Sequence, residues 1–165
     1  MIYTFVQSFG IDEEMASFWI ATFLEYTDFS RGAAKELFAR VRKDGKWYIG
    51  PKTQNKKRIQ KGDKVIFYQA GKSGRRFVGD GTLSTSLQPA SENDFFDFVI
   101  ISGVRLWSKP LSIYEIGKEL SFVKTKNPAQ YYFQMGIRRI AEKDYLTILQ
   151  HRKSSTEHAN SRQRD

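Results

Sequence analysis

Gly62-Asp63-Lys64-Val65-Ile66-Phe67-Tyr68, answered by Phe77-Val78-Gly79, is the stretch on which the fold turns. Glycine followed by aspartate makes a turn: glycine takes the backbone angles, and the aspartate oxygens reach nearby backbone N–H groups. Val65-Ile66-Phe67-Tyr68 is β-branched and then aromatic, the composition of a strand. A strand over residues 64–70 and a return over residues 75–85 make a hairpin, closed by Gly71-Lys72-Ser73-Gly74. Gly79 and Gly81 in the returning strand predict a bulge or a close backbone approach.

Upstream, residues 17–24 alternate, with Trp19 and Phe23 on one face and Phe18, Ile20 and Leu24 on the other. That pattern predicts a strand buried on both sides. Asp28 or Ser30 can cap a helix running to about Val41, with Ala33, Ala34, Leu37, Phe38 and Val41 on one stripe. Asp44-Gly45 stops it. Residues 46–49 form a short strand ended by Gly50-Pro51, and residues 52–61 a polar loop or short helical turn. Downstream, residues 87–93 are a loop and residues 95–107 a long strand bent at Gly103. Lys109-Pro110-Leu111-Ser112 opens a helix to about Leu120, residues 129–140 can be helical, and residues 141–150 are a last helix. Glu142 and Asp144 suit the N-terminal dipole of that helix.

This order predicts an α+β domain over residues 17–150, a small, partly open β-barrel with flanking helices. Residues 1–16 read as an extension whose residues 2–6 could add an edge strand or pair with a twin subunit in a homodimer. Residues 151–165 are polar and unpatterned, the composition of a disordered tail.

Composition removes several classes of function. The chain has 165 residues, 40% apolar and 15% aromatic, enough for a packed core. It has no cysteine, hence no disulfide, thiolate metal site or Cys nucleophile. Its two histidines, His151 and His158, both lie in the polar C-terminal end, away from any partner for a catalytic dyad or metal site. No apolar run reaches the roughly 18–20 residues of a membrane span, and the N-terminus lacks a signal-peptide pattern. The expectation is a cytoplasmic protein with no cofactor and no membrane partner. Asp80, Asp94 and Asp97 read as turn and surface acids, and Asp63 as structural. Gly71-Lys72-Ser73-Gly74 lacks the first glycine of a Walker loop and precedes a strand, not a helix.

The charge is local. Residues 42–76 contain twelve Lys and Arg against Asp44 and Asp63, a net +10, while the whole chain carries +9. The other residues therefore sum to −1. The same stretch holds Trp47-Tyr48-Ile49-Gly50-Pro51. Clustered positive charge suits phosphates, and interleaved rings suit bases, so a polyanion is the partner this segment would take. The ordinary alternative is a lysine-rich surface that keeps a small domain soluble.

These residues carry a resemblance. Gly62-Asp63-Lys64-Val65-Ile66-Phe67-Tyr68 and Phe77-Val78-Gly79 are similar to the central hairpin of EVE domains, in the PUA-like superfamily alongside YTH domains. Trp47-Tyr48-Ile49-Gly50-Pro51 resembles the family's Trp-Gly-Val-type segment, and Phe18-Trp19-Ile20-Ala21 its first strand. Phe98-Val99-Ile100-Ile101, Lys109-Pro110-Leu111, Leu120-Ser121-Phe122-Val123-Lys124 and Glu142-Lys143-Asp144-Tyr145 follow in the family's order.

The resemblance implies a PUA-like barrel with a pocket for a flipped, often modified base in DNA or RNA, and no catalysis. It implies Trp47 and Tyr48 as stacking walls, with Thr22 and Leu24 at the end of the first strand. Gln54 and Asn55 would read the base edge, Tyr68 would lie at the hairpin, and Tyr131 and Tyr132 would replace the family's Trp-bearing segment. Lys52, Lys56, Lys57, Arg58, Lys72, Arg75 and Arg76 would contact phosphates. Two other functions compete: a protein-interaction or dimerisation module with a vestigial pocket and, below it, a small RNA-processing enzyme using Asp94 and Asp97.

Overall fold

The computed structural model describes residues 15–24, 41–71, 74–92, 96–124 and 136–161. Among the described residues there are six strands: β1 (Phe18–Leu24), β2 (Lys46–Tyr48), β3 (Lys64–Ala70), β4 (Arg76–Leu83), β5 (Phe98–Ser112) and β6 (Ile137–Ile140). They form one sheet in the order β2-β5-β4-β3-β1-β6. Two α-helices follow β5 and β6, α1 (Ile113–Ile116) and α2 (Glu142–Ser161). The central hairpin is antiparallel, β1 runs parallel to β3, and β6 closes antiparallel on β1. The sheet curls into a half-barrel. Trp47 on edge strand β2 thereby meets Phe67 on β3, ring centroids 5.7 Å apart, although β5 and β4 lie between them in the sheet.

The expected glycine irregularities are real. Phe67 and Tyr68 face Gly79 and Phe77, so Val78 is an extra residue on β4. Such bulges raise local twist and help a sheet curl. At Gly81 an added Cβ would stand 2.7 Å from Ile101 Cγ2, so the two strands approach too closely for a side chain.

Side chains leave the sheet on two sides, because successive residues of a strand point oppositely. Trp19, Ala21, Val65, Phe67, Val99 and Ile101 build the inner apolar layer. Ile20, Ile66, Tyr68, Phe77 and Trp107 build the outer one, against Ile113 and Ile116 of α1 and Ile148 of α2. Trp19 and Phe67 are thus core, each at or below 2% exposure. Burying one such side chain contributes about 1.5–3 kcal/mol. β5 serves both layers. Gly103 has φ +59°, open to glycine and strained for other residues. It adds one residue between Ser102 and Arg105, which face Thr82 and Asp80. Before it Val99 and Ile101 point inward, and after it Val104 and Leu106 do, so the phase of the strand has shifted by one.

Several boundaries differ from expectation. β5 extends to Ser112 and passes through Pro110, which sits in an unregistered stretch between Leu106 and Leu111, where no ladder bond is lost. The helix expected from Lys109 shrinks to α1. Ser112 caps it, its Oγ accepting from Tyr114 N at 3.2 Å while Glu115 accepts from Ser112 N at 3.3 Å. Residues 137–140, expected to be helical, are β6. The last helix does not stop near residue 150 but continues to Ser161 through the segment expected to be disordered. Helix residues 41–44 run past Val41 and end at Gly45, whose N–H reaches Val41 O at 2.7 Å. The rest of the helix expected before them, and the strand expected at residues 2–6, lie outside the described residues. Among the described residues no helix is long and apolar enough to cross a membrane.

Candidate functional site

The loop from Gly50 to Arg58 is fixed at both ends by isoleucine. Ile49 and Ile59 are each 2% exposed and belong to the inner layer. Between them the chain turns back on itself, Thr53 N donating to Gly50 O at 3.0 Å. Asn55 takes a left-handed backbone, φ 61°, and its O accepts from Arg58 N at 2.9 Å to start a 3-10 turn at Lys56–Arg58. The Asn55 side chain leaves the loop altogether: Nδ2 donates to Ile137 O, 2.9 Å away on β6. Gly136, just before β6, lies under Thr53 so closely that an added Cβ would be 2.6 Å from Thr53 Cγ2. Gly136 O in turn accepts from Thr22 N at 2.7 Å. Thr22, Thr53, Asn55 and Gly136 therefore converge where β1, β6 and the loop meet.

On this frame Lys52, Gln54, Lys57 and Arg58 are exposed. Lys56 is not free in the same way. Its Nζ lies 3.0 Å from Asp97 Oδ2, and that hydrogen bond, with one from Ala90 N, holds the Asp97 carboxyl below its usual value. Asp97 is a surface acid paired with a lysine, as its sequence setting suggests; Asp94 lies outside the described residues.

The three tryptophans divide in a telling way. Trp19 Nε1 donates to Asp63 Oδ2 at 2.7 Å, and Trp107 Nε1 donates to Asp80 Oδ1 at 2.7 Å. Both acids are nearly inaccessible, at 4% and 2% exposure. Trp47 is half-buried, packs edge-on against Phe67, and its indole N–H has no hydrogen-bond partner among the described residues. Two indoles are thus committed to buried carboxylates, and the third makes no hydrogen bond to a described residue. Such an amphipathic ring is what a stacking site uses.

The other expected site residues are split up. Tyr48 follows Trp47 on β2 and so faces the opposite way, packed on Phe98 at 6.1 Å. The two cannot both wall one pocket. Tyr68 is 0% exposed in the outer layer, ring-to-ring with Phe77 at 5.1 Å, and burial raises its pKa. It belongs to the core and not to a pocket. Arg75 turns to the outer side, where Nη1 donates to Tyr114 Oη at 2.6 Å. Arg76 stays on the inner side, Nε donating to Gln69 Oε1 at 3.1 Å. The Leu24 side chain, Lys72, Tyr131 and Tyr132 lie outside the described residues.

Sequence reasoning missed Thr53, Gly136 and Gln69. Only Gln69 left a signal, as the single amide within an otherwise apolar and aromatic run, Val65–Ala70. The buried acids Asp63, Asp80 and Asp144 hold structure together. Asp63 also accepts from Ser17 N at 2.8 Å and Gln60 N at 2.9 Å, the turn role its position suggests. Asp80 accepts from Arg105, and Asp144 accepts from Ser121 N at 2.8 Å and Ser121 Oγ at 2.6 Å. Among the described residues no group of three or more His, Asp or Glu could hold a metal ion.

A curled six-stranded sheet with its helices packed on the outside is a PUA-like fold of the α+β class. Within that class the chain belongs to the EVE domain family, whose model matches residues 23–151. No curated protein sequence matches the chain. Among solved structures, a protein of Agrobacterium tumefaciens is 20% identical, with a TM-score of 0.60 over 83% of this chain and 93% of that one. Human THYN1, in complex with DNA containing 5-methylcytosine, is 10% identical, with a TM-score of 0.59 over 83% of this chain and 98% of that one. The YTH domain of Zygosaccharomyces rouxii MRB1, in complex with N6-methyladenosine RNA, is 10% identical, with a TM-score of 0.54 over 84% and 88%. At these identities the likeness is one of fold.

Proposed function

We propose that this chain is a non-catalytic nucleic-acid-binding module that receives a flipped, modified base of DNA or RNA against Trp47. The exposed cations Lys52, Lys57 and Arg58 would hold the flanking phosphates. The observation that carries the reading is the half-buried indole of Trp47, set beside Phe67 and three residues before a basic loop braced on β6. The EVE family membership supports it, as do two neighbours of the same fold caught with a methylated base.

Energetically the scheme closes. Extruding a base costs a few kcal/mol, and stacking returns about 1–3 kcal/mol per ring, with edge hydrogen bonds supplying the rest. Thr22 and Asn55 shape the site's wall, and Asn55 does so through its bond to Ile137, not as an edge reader. Gln54, exposed on the loop, is available to the nucleic acid. A binding role is supported by how these groups are engaged: Asp63 and Asp80 each accept from a buried indole N–H, Asp144 accepts from Ser121, Asp97 pairs with Lys56, and His151 Nε2 lies 2.9 Å from Glu119.

The test is fluorescence anisotropy with oligonucleotides carrying 5-methylcytosine, 5-hydroxymethylcytosine, N6-methyladenine or no modification, as DNA and as RNA, across a salt series. Binding that weakens with salt, by about 0.7–0.9 in log–log slope per phosphate contact, and that favours a modified probe is expected. No salt-sensitive binding to any probe would sink the reading.

A further inference from the structure

Gln69 is a polar side chain in the wrong place for a purely structural strand. It is 2% exposed, next to last on β3, between Tyr68 and Ala70, which are both buried. Its Oε1 accepts from Arg76 Nε at 3.1 Å, and its Nε2 has no partner among the described residues. An amide whose oxygen is held and whose N–H donors make no bond to a described residue has those donors available to a ligand.

Position and orientation are both fixed. Val65 and Phe67 face the inner layer, so Gln69, two residues on, faces it as well. Phe67 is the ring on which Trp47 packs. Trp47, Phe67 and Gln69 therefore lie along one inner surface. Arginine has donors and no acceptor, so Arg76 can bond only the amide oxygen. Arg76 holds the oxygen toward β4 and leaves both Nε2 hydrogens for something else.

We infer that Gln69 is a specificity-determining residue of the base site, donating from Nε2 to a hydrogen-bond acceptor on the edge of the bound base, a carbonyl oxygen or an unprotonated ring nitrogen. Arg76 is the positioning residue that sets the amide, which gives it a role apart from phosphate contact. This assignment rests on the base-binding reading and names the group that would recognise the base within it.

The experiment compares wild type, Gln69→Glu and Gln69→Met in the full chain on the same modified and unmodified oligonucleotides. Gln69→Glu keeps the acceptor for Arg76 and replaces the donor with an acceptor. It is expected to lower affinity for the preferred modified probe by about tenfold or more, while the salt slope, set by phosphates, stays at its wild-type value. Gln69→Met, similar in volume and without polar atoms, should likewise lose discrimination between modified and unmodified probes. Wild-type binding with discrimination unchanged in both variants would overturn the inference and leave the base-binding reading standing. A wild-type protein that binds no probe overturns both.

Discussion

The indole N–H of Trp19 and the carboxylate of Asp63 meet at 2.7 Å in the core, joining β1 to the turn that starts β3. The same carboxylate accepts from Ser17 N and Gln60 N. One buried carboxylate thus satisfies three donors on two segments of chain, the start of β1 and the turn before β3. Asp63→Ala leaves all three without a partner, and is expected to cost about 3 kcal/mol or more in urea unfolding. A loss below about 1 kcal/mol would show that the turn stands without this anchor.

Trp47→Ala removes a half-buried ring beside Phe67. Binding of the preferred modified probe should fall about tenfold or more, in keeping with the worth of one stacked base. Trp47→Phe should retain part of it. Equal affinity of wild type and Trp47→Ala would remove Trp47 from the site.

Lys56 and Lys57 are neighbours with different duties. Lys57 is exposed, while Lys56 is paired with Asp97. Lys57→Met should lower the salt slope by about 0.7–0.9, as loss of one phosphate contact does, and Lys56→Met by less. The reverse ordering in anisotropy titrations would refute this division of labour.

Gly136 has no room for a side chain because of one methyl group, Thr53 Cγ2, at 2.6 Å from the missing Cβ. Gly136→Ala is expected to destabilise by about 1–3 kcal/mol through overpacking. Adding Thr53→Ser, which deletes that methyl, should recover most of the loss. Purely additive effects in the double-mutant cycle would argue against the contact.

Tyr145 gives the fold an alkaline limit. Burial, with a further contribution from the nearby Asp80 charge, pushes its hydroxyl up from 10.0 to about 12, and Arg105 opposes the shift. A folded pKa above the unfolded one means that stability is complete below pH 10 and is lost as pH rises through about 12. Tyr145→Phe should flatten that part of the decline, read as urea midpoints against pH, and leave the neutral range unaltered in slope.

The hairpin, the bulging glycines, the short Trp47 strand and the acidic start of the last helix were all legible, because each rests on local chemistry. β6 was not. Ile137 and Ile140 stand three apart, the spacing of one helical turn, and four residues cannot distinguish that from a strand whose ends feed opposite layers. The passage of β5 through Pro110 was hidden because the proline falls where partner β4 makes no demand, a fact of register. The continuation of α2 past residue 150 was hidden because its supports are tertiary: His151 on Glu119 and Arg152 over the Trp107 ring at 5.6 Å. At the site, Trp47 and the basic loop could be picked out from composition. Separating Tyr48 and Tyr68 from them needed strand parity and burial. The amide of Gln69 needed its partner, Arg76, which only pairing across the hairpin supplies.

The extra residue at Gly103 has a consequence for how the molecule comes apart. Because β5 changes phase there, one continuous strand contributes Ile101 and Leu106 to one apolar layer and Trp107 and Leu111 to the other. Neither layer can melt without pulling the same strand out of register with β4. The domain should therefore behave as one cooperative unit in hydrogen exchange, with amides of β3, β4 and β5 opening together at the global free energy. Among the described residues, faster local opening is expected in the loop that carries Lys52 and Arg58, so that the proposed rim can adjust while the sheet stays paired.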